Sequence, residues 1–201
     1  MRGRDIKRYS YDWAGLWLVA TFPSKHYDIE KYPAVKNYLL SFDKRVLAQT
    51  GEKKIDGDPQ KNARKRTNNK WFETQDSIGY WEDFFKPKIC WKAVGRNLTF
   101  AIVEAGTFLT APASFISAGK FNDYILAYLC SSVAKYFIYK YSDTTGAGDI
   151  MLNIQSLVKL PVPVPQKPTI FSYTSQEYID DIVYKSYDLS IEEIEYIKSN
   201  I

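Results

Sequence analysis

The 201-residue sequence has one histidine, two cysteines and two methionines. A lone His26 offers no second imidazole for a metal site and no persuasive Ser/His pair. Cys/His clusters, HExxH and G-x-S-x-G patterns are absent. Cys90 and Cys130 lie far apart without metal-ligand spacing and are expected to be reduced thiols. No apolar run reaches the ~18 residues of a membrane span. The charged opening MRGRDIKR is followed by no signal-peptide core. These absences lead us to expect a cytoplasmic protein without a membrane partner.

Cations are plentiful but unevenly spread. The formal charge is +4. Lys53, Lys54, Lys61, Arg64, Lys65, Arg66 and Lys70 face only Asp56 and Asp58, and Arg2, Arg4, Lys7 and Arg8 face only Asp5. From Ser172 onward the balance reverses, with Glu177, Asp180, Asp181, Asp188, Glu192, Glu193 and Glu195 against Lys185 and Lys198. A basic body with an acidic tail favours a polyanionic partner for the body. Aromatic residues make up 16% of the chain, and Tyr and Trp suit surfaces that are half apolar and half wet, nucleic-acid grooves included.

The hydrophobic pattern predicts an α+β domain over residues 1–165 and a helical tail over 166–201. WAGLWLVATF (Trp13–Phe22) reads as a buried strand. In YPAVKNYLLSFDKRVLAQTG, Val35, Tyr38, Leu39, Phe42 and Val46 recur at helical spacing, with Pro33 in the first turn and Gly51 past the end. KPKICWKAV, NLTFAIVE and GTFLTAPASFIS read as short strands. Phe121–Tyr141 reads as one long, mostly buried helix capped by Asn122 or Asp123. LPVPVPQKP reads as an extended linker. Thr174 with Glu177 and Ser190 with Glu193 fit capping boxes.

Chemistry-bearing motifs are few. DxK and ExK triplets (Asp5–Lys7, Glu52–Lys54) occur at a frequency expected by chance in so charged a chain. GAGD (Gly146–Asp149) lacks the lysine and helix of a P-loop and reads as a turn or a place where a nucleic-acid backbone approaches closely. In KNARKRTNNKWFETQD, Arg64, Lys65, Arg66 and Lys70 are suited to neutralising phosphates. Asn68 and Asn69 can bond a base edge or sugar, and Trp71 and Phe72 are expected to anchor the loop in the core.

RGRDIKRY, WAGLWLVATFPS, YPAVKNYLLSFDKRVLAQTGE, ARKRTNNKWFETQD, FFKPKICW and KLPVPVP, in this order, resemble the C-terminal specificity domain of TaqI-like DNA adenine methyltransferases. That domain is the target-recognition part of many type IIG restriction-modification enzymes. VYKSYDLSIEEIEYIKS resembles the way such chains end. The resemblance implies double-stranded DNA as partner, together with an N-terminal methyltransferase domain of the same parent chain. The Gly-rich loop for S-adenosylmethionine and the Asn-Pro-Pro-Tyr motif are missing from this sequence. No catalytic residue, metal or cofactor is therefore assigned here. S-adenosylmethionine, and Mg2+ if the parent also cuts DNA, are assigned to the parent enzyme.

Residues that follow the family pattern are shared by members with different targets, so Arg64–Trp71 are expected to shape the loop, contact the DNA backbone or dock the catalytic domain. Base-reading candidates lie where the chain is least generic: Lys53, Lys54 and Lys61 in the basic connection, Lys92, Arg96 and Asn97 in a turn, and Thr144, Thr145, Gly146 and Gly148 in a loop. Alanine at Arg64, Lys65 and Arg66 together is expected to weaken binding with the fold intact. Two rival readings remain: a small metal-dependent nuclease, and a protein-interaction module resembling a type I specificity subunit.

Overall fold

KPKICWK forms the middle strand of an antiparallel sheet, and its side chains alternate between two apolar clusters. This strand, β1 (Lys88–Lys92), pairs Cys90 with Ala101 on one side and with Phe115 on the other. Ile89 and Trp91 enter the larger cluster, and Cys90 joins Ile6, Ala101 and Val103 in the smaller one. A strand buried on both faces has no room for the polar half of an amphipathic pattern, so the run is apolar from Ile89 to Trp91.

The computed structural model describes residues 1–164 and 175–201. The chain divides into two compact units, Met1–Leu16 with Glu82–Ile201, and Trp17–Trp81.

In the first unit β1 is followed by β2 (Val94–Gly95), β3 (Phe100–Val103) and β4 (Ala113–Ile116), and the large sheet has the order β3-β1-β4. The helix α3 (Asn122–Leu129) packs on it, and α4 (Ser132–Tyr141) packs on α3. The single helix expected over Phe121–Tyr141 is broken at Cys130–Ser131. The Ser131 hydroxyl accepts from the Ala134 N–H at 3.2 Å and so starts α4, as serines at N-caps do. Asn122, an expected cap for the long helix, is buried and bonds elsewhere: its amide donates to the Pro87 carbonyl and its oxygen accepts from the Ala118 N–H.

Short strands β5 (Asp143–Thr144) and β6 (Ile150–Met151) and the turn α5 (Ile154–Leu157) follow, then α6 (Gln176–Ser186) and α7 (Ile191–Ser199). Val183, Tyr184 and Ile197 from the tail helices belong to the same buried cluster as Leu126, Val133 and Ala134. The tail is thus part of the first unit's core, and the chain divides at 16/17 and 81/82, whereas the sequence suggested 165/166. Helix α7 begins with the Ser190–Glu193 capping box. Helix α6 is capped by Ser175, and Thr174 lies outside the described residues. Leu160–Val164 are also held: Tyr124 donates to the Pro163 carbonyl, and Tyr128 and Tyr187 to that of Pro161. The rest of LPVPVPQKP lies outside the described residues.

The second unit contains α1 (Pro33–Leu40) and α2 (Lys44–Leu47) and no strand. The helix expected from Tyr32 to Gly51 is interrupted because Asp43 accepts from the Arg45 N–H at 2.9 Å and caps a new helix. Its apolar stripe is not buried either: Tyr38 and Phe42 stay about half exposed and meet edge to face at 5.4 Å. Trp13–Phe22 departs most from expectation. It forms no strand, Trp17 is 87% exposed, and Thr21 and Phe22 alone within it are buried. Gly15, at φ +68°, breaks the extended run, and the segment carries the chain from one unit into the other.

The small core of the second unit, with Phe22, Ile29, Ile55, Ala63 and Phe72, is supplemented by buried polar bonding. Gln49 donates to the Glu73 carbonyl at 2.7 Å, Thr21 donates to the Phe72 carbonyl at 2.6 Å, and the Glu73 carboxylate accepts from the Lys70 N–H at 2.7 Å. Buried polar groups that are satisfied in this way fix one loop geometry.

Candidate nucleic-acid interface

In the first unit two separate stretches of sequence meet at a second, smaller sheet with the order β2-β6-β5. Gly95 pairs with Ile150, and Ile150 pairs with Thr144. The pairing is anchored from below: the buried Trp91 indole donates to the Leu152 carbonyl at 2.9 Å, and the Leu152 N–H donates to the Ala93 carbonyl at 2.8 Å. Ile150 and Leu152 are buried. The Lys92–Asn97 turn and the Thr144–Asp149 loop, far apart in sequence, therefore stand side by side.

The loop is a defined hairpin tip. The Thr145 N–H donates to the Asp149 carbonyl and the Gly148 N–H to the Thr145 carbonyl, both at 2.8 Å, while the Thr145 hydroxyl accepts from the Asp149 N–H at 3.1 Å. Gly148 takes φ +80°, which a side chain would strain. Thr144, Gly146 and Gly148 are exposed and Thr145 is half-buried. On the neighbouring turn Arg96 and Asn97 are exposed, and the Arg96 Nε lies 3.6 Å from the Asp149 carboxylate. The Tyr139 hydroxyl on α4 donates to the Arg96 carbonyl at 2.9 Å. Lys92 is exposed, but its stem lies over Gly3, where a Cβ would sit 3.0 Å from the Lys92 Cγ. Asn97, with Arg8, Lys135 and Tyr139, rims a cavity of about 280 Å³ floored by Phe100, Leu129 and Ile138.

The second unit sorts the cations of 53–70 into two groups. Arg64 is committed to the fold: its Nε donates to the Leu47 carbonyl at 2.7 Å, and its other nitrogens to the carbonyls of Glu73 and Trp71. Burial pushes its pKa down. Lys61 is neutralised by Asp43 and Asp56, and Arg45 also pairs with Asp56, at 2.7 Å. Hydrogen bonds from Arg45 and then Lys61 lower Asp56 to about 2. Lys53, Lys54, Lys65, Arg66 and Lys70 remain exposed. Asn68 is exposed as well, whereas the Asn69 amide donates to the carbonyls of Thr74 and Gln75 at 3.0 Å. Phe72 is buried and meets the half-buried Trp71 edge to face. Lys44, which the sequence did not single out, lies 5.2 Å over the Trp71 ring.

Among the described residues no group of three His, Cys, Asp or Glu side chains is arranged to hold a metal ion. Asp5 of the DxK triplet is held by Arg2 at 2.8 Å. No described helix is long and apolar enough to cross a membrane. Asp149 and Tyr139 had no signal beyond the quoted GAGD, since only the fold brings them to Arg96.

Residues 1–162 match the TaqI-like C-terminal specificity domain. The chain is 28% identical over 207 aligned positions to the type II methyltransferase M.BstVI of Geobacillus stearothermophilus; the match takes in 96% of this chain and 34% of that relative. The chain thus spans about a third of the length of the curated relative it matches. With the match covering most of its length, the chain belongs to the TaqI-like C-terminal specificity domain family.

Proposed function

We propose that this chain is the DNA target-recognition domain of a restriction-modification methyltransferase and positions a separate catalytic portion on its site. The observation that carries this reading is the sorting of cations in the second unit. Arg64 and Lys61 are bound up internally, yet Lys53, Lys54, Lys65, Arg66 and Lys70 are left facing water on a scaffold that fixes their loops. Such cations neutralise phosphates and set register without reading sequence. Sequence would be read in the first unit, where Arg96, Asn97, Thr144 and Thr145 are gathered at the small sheet and Lys92 ends the neighbouring β1.

The methyl acceptor is adenine N6, as the sequence resemblance implies, and the chemistry belongs to the catalytic portion. The Thr145–Asp149 loop joins two strands and lacks the helix N-terminus on which phosphate cradles rely. S-adenosylmethionine is accordingly assigned to the catalytic portion, as is any cleavage activity.

The test is fluorescence anisotropy of the chain on mixed-sequence duplex DNA across a salt series. The reading expects log K to fall linearly with log salt, at ~0.9 per phosphate contacted, over several contacts. A weak, salt-insensitive response would overturn it in favour of a protein-interaction module.

A further inference from the structure

The Arg96 side chain is 79% exposed, with its backbone fixed on one side and a carboxylate within ion-pair distance on the other. The Tyr139 hydroxyl fixes its carbonyl, and the Asp149 carboxylate faces its Nε. Asp149 is itself seated by both of its backbone bonds to Thr145. A free arginine side chain loses rotamer freedom when it binds. A carboxylate at Nε takes up part of that loss beforehand and leaves the two Nη groups to present a planar fork of N–H donors.

The same carboxylate bears on what the fork can meet. A phosphate would be repelled by Asp149 a few ångströms away, and the isolated cations of the second unit are better suited to it. A neutral edge with two acceptors suffers no such repulsion. Among base edges, guanine offers this pair in O6 and N7, whereas adenine places an N6–H donor beside its N7.

We propose that Arg96 reads one guanine of the target through its O6/N7 edge, and that Asp149 and Tyr139 are positioning residues for that contact. The assignment rests on the DNA-recognition reading above.

The experiment selects bound sequences from a duplex pool with a randomised core, using the intact chain and its Arg96→Ala, Arg96→Lys, Asp149→Asn and Tyr139→Phe variants. A salt titration on mixed-sequence duplex and a thermal melt accompany each variant. The wild type should enrich a motif containing guanine, and preference at one guanine should fall about ten-fold or more in both Arg96 variants. Asp149→Asn should lose part of the same preference while binding mixed-sequence DNA at least as tightly, because a negative charge is gone. Tyr139→Phe should lose part of it with an unchanged salt slope. A motif without guanine would overturn the assignment. So would an Arg96→Ala variant that keeps every base preference and loses affinity equally for all sequences. Absence of salt-dependent binding by the wild type would instead overturn the DNA-recognition reading itself, and the assignment with it.

Discussion

The Asp180 carboxylate on α6 accepts both the backbone N–H and the hydroxyl of Ser132, at 2.6 and 2.7 Å, in the first turn of α4. A side chain of the tail thus satisfies a donor that α4 leaves unpaired at its start, and its negative charge sits at the favourable end of the helix dipole. Asp180 is buried, so losing it strands those donors. Asp180→Ala should destabilise the first unit by about 1–3 kcal/mol, read as a lower urea midpoint with an unchanged slope. An unchanged midpoint would show that water replaces the cap.

Lys88 is fully buried, and its ammonium donates to the carbonyls of Phe84, Lys86 and Glu104 at 2.8, 2.9 and 3.3 Å. Burial holds its pKa below the usual lysine range. Lys88→Met keeps the stem and removes all three donors. It should cost about 2–3 kcal/mol, since buried carbonyls are left unpaired, and chemical denaturation measures the loss.

Arg64 and its two neighbours in sequence should separate cleanly on mutation. Arg64→Ala removes bonds to three carbonyls and should loosen the second unit, seen as faster amide exchange at Leu47, Trp71 and Glu73. Lys65→Ala with Arg66→Ala should leave exchange untouched and reduce the salt slope of DNA binding by about two contacts. The sequence offered loop shaping, DNA-backbone contact or docking for Arg64–Trp71 together and expected the triple alanine variant to keep its fold; the carbonyl bonds of Arg64 argue against an intact fold in that variant.

Asp5 is held at about 2, chiefly by the Arg2 guanidinium, against an ordinary value of 3.8. A carboxylate depressed in the folded state contributes stability that is fully present above the ordinary value. That contribution is lost as pH falls through the folded one. The wild type should therefore lose more stability than Asp5→Asn between about pH 4 and pH 2, in acid titrations followed by tyrosine fluorescence. Parallel curves would mean that the pair opens in solution.

Local pattern made the strands around Cys90, Ala101 and Phe115 legible, because short apolar and aromatic runs bounded by turn residues mark strands whether or not one face is polar. Helical periodicity was equally strong in Phe121–Tyr141 and Tyr32–Gly51, yet Ser131 and Asp43 divide both. Each is a capping side chain in the middle of an apolar pattern, and periodicity gives such residues no weight. Trp13–Leu18 misled for a different reason: apolar sequence signals a tendency to be covered and does not say by what. At the candidate interface the exposed cations were readable from composition. Arg64 bonds the carbonyls of Trp71 and Glu73 within its own basic stretch, but the stretch does not show which of its cations turns inward, and the meeting of Arg96 with Asp149 depends on a pairing distant in sequence.

The strands of the small sheet are two residues long, and within them only Ile150 is buried. The segment from Thr144 to Asp149 therefore reaches the core chiefly through Ile150 and the backbone bonds around Leu152, and its remaining bonds stay within the small sheet and its turns. A loop attached so lightly can be rewritten in length and chemistry while the core stays unaware of the change. On the recognition reading proposed above, swapping hairpin tips between family members is a route to new target sequences that leaves the scaffold's stability where it was.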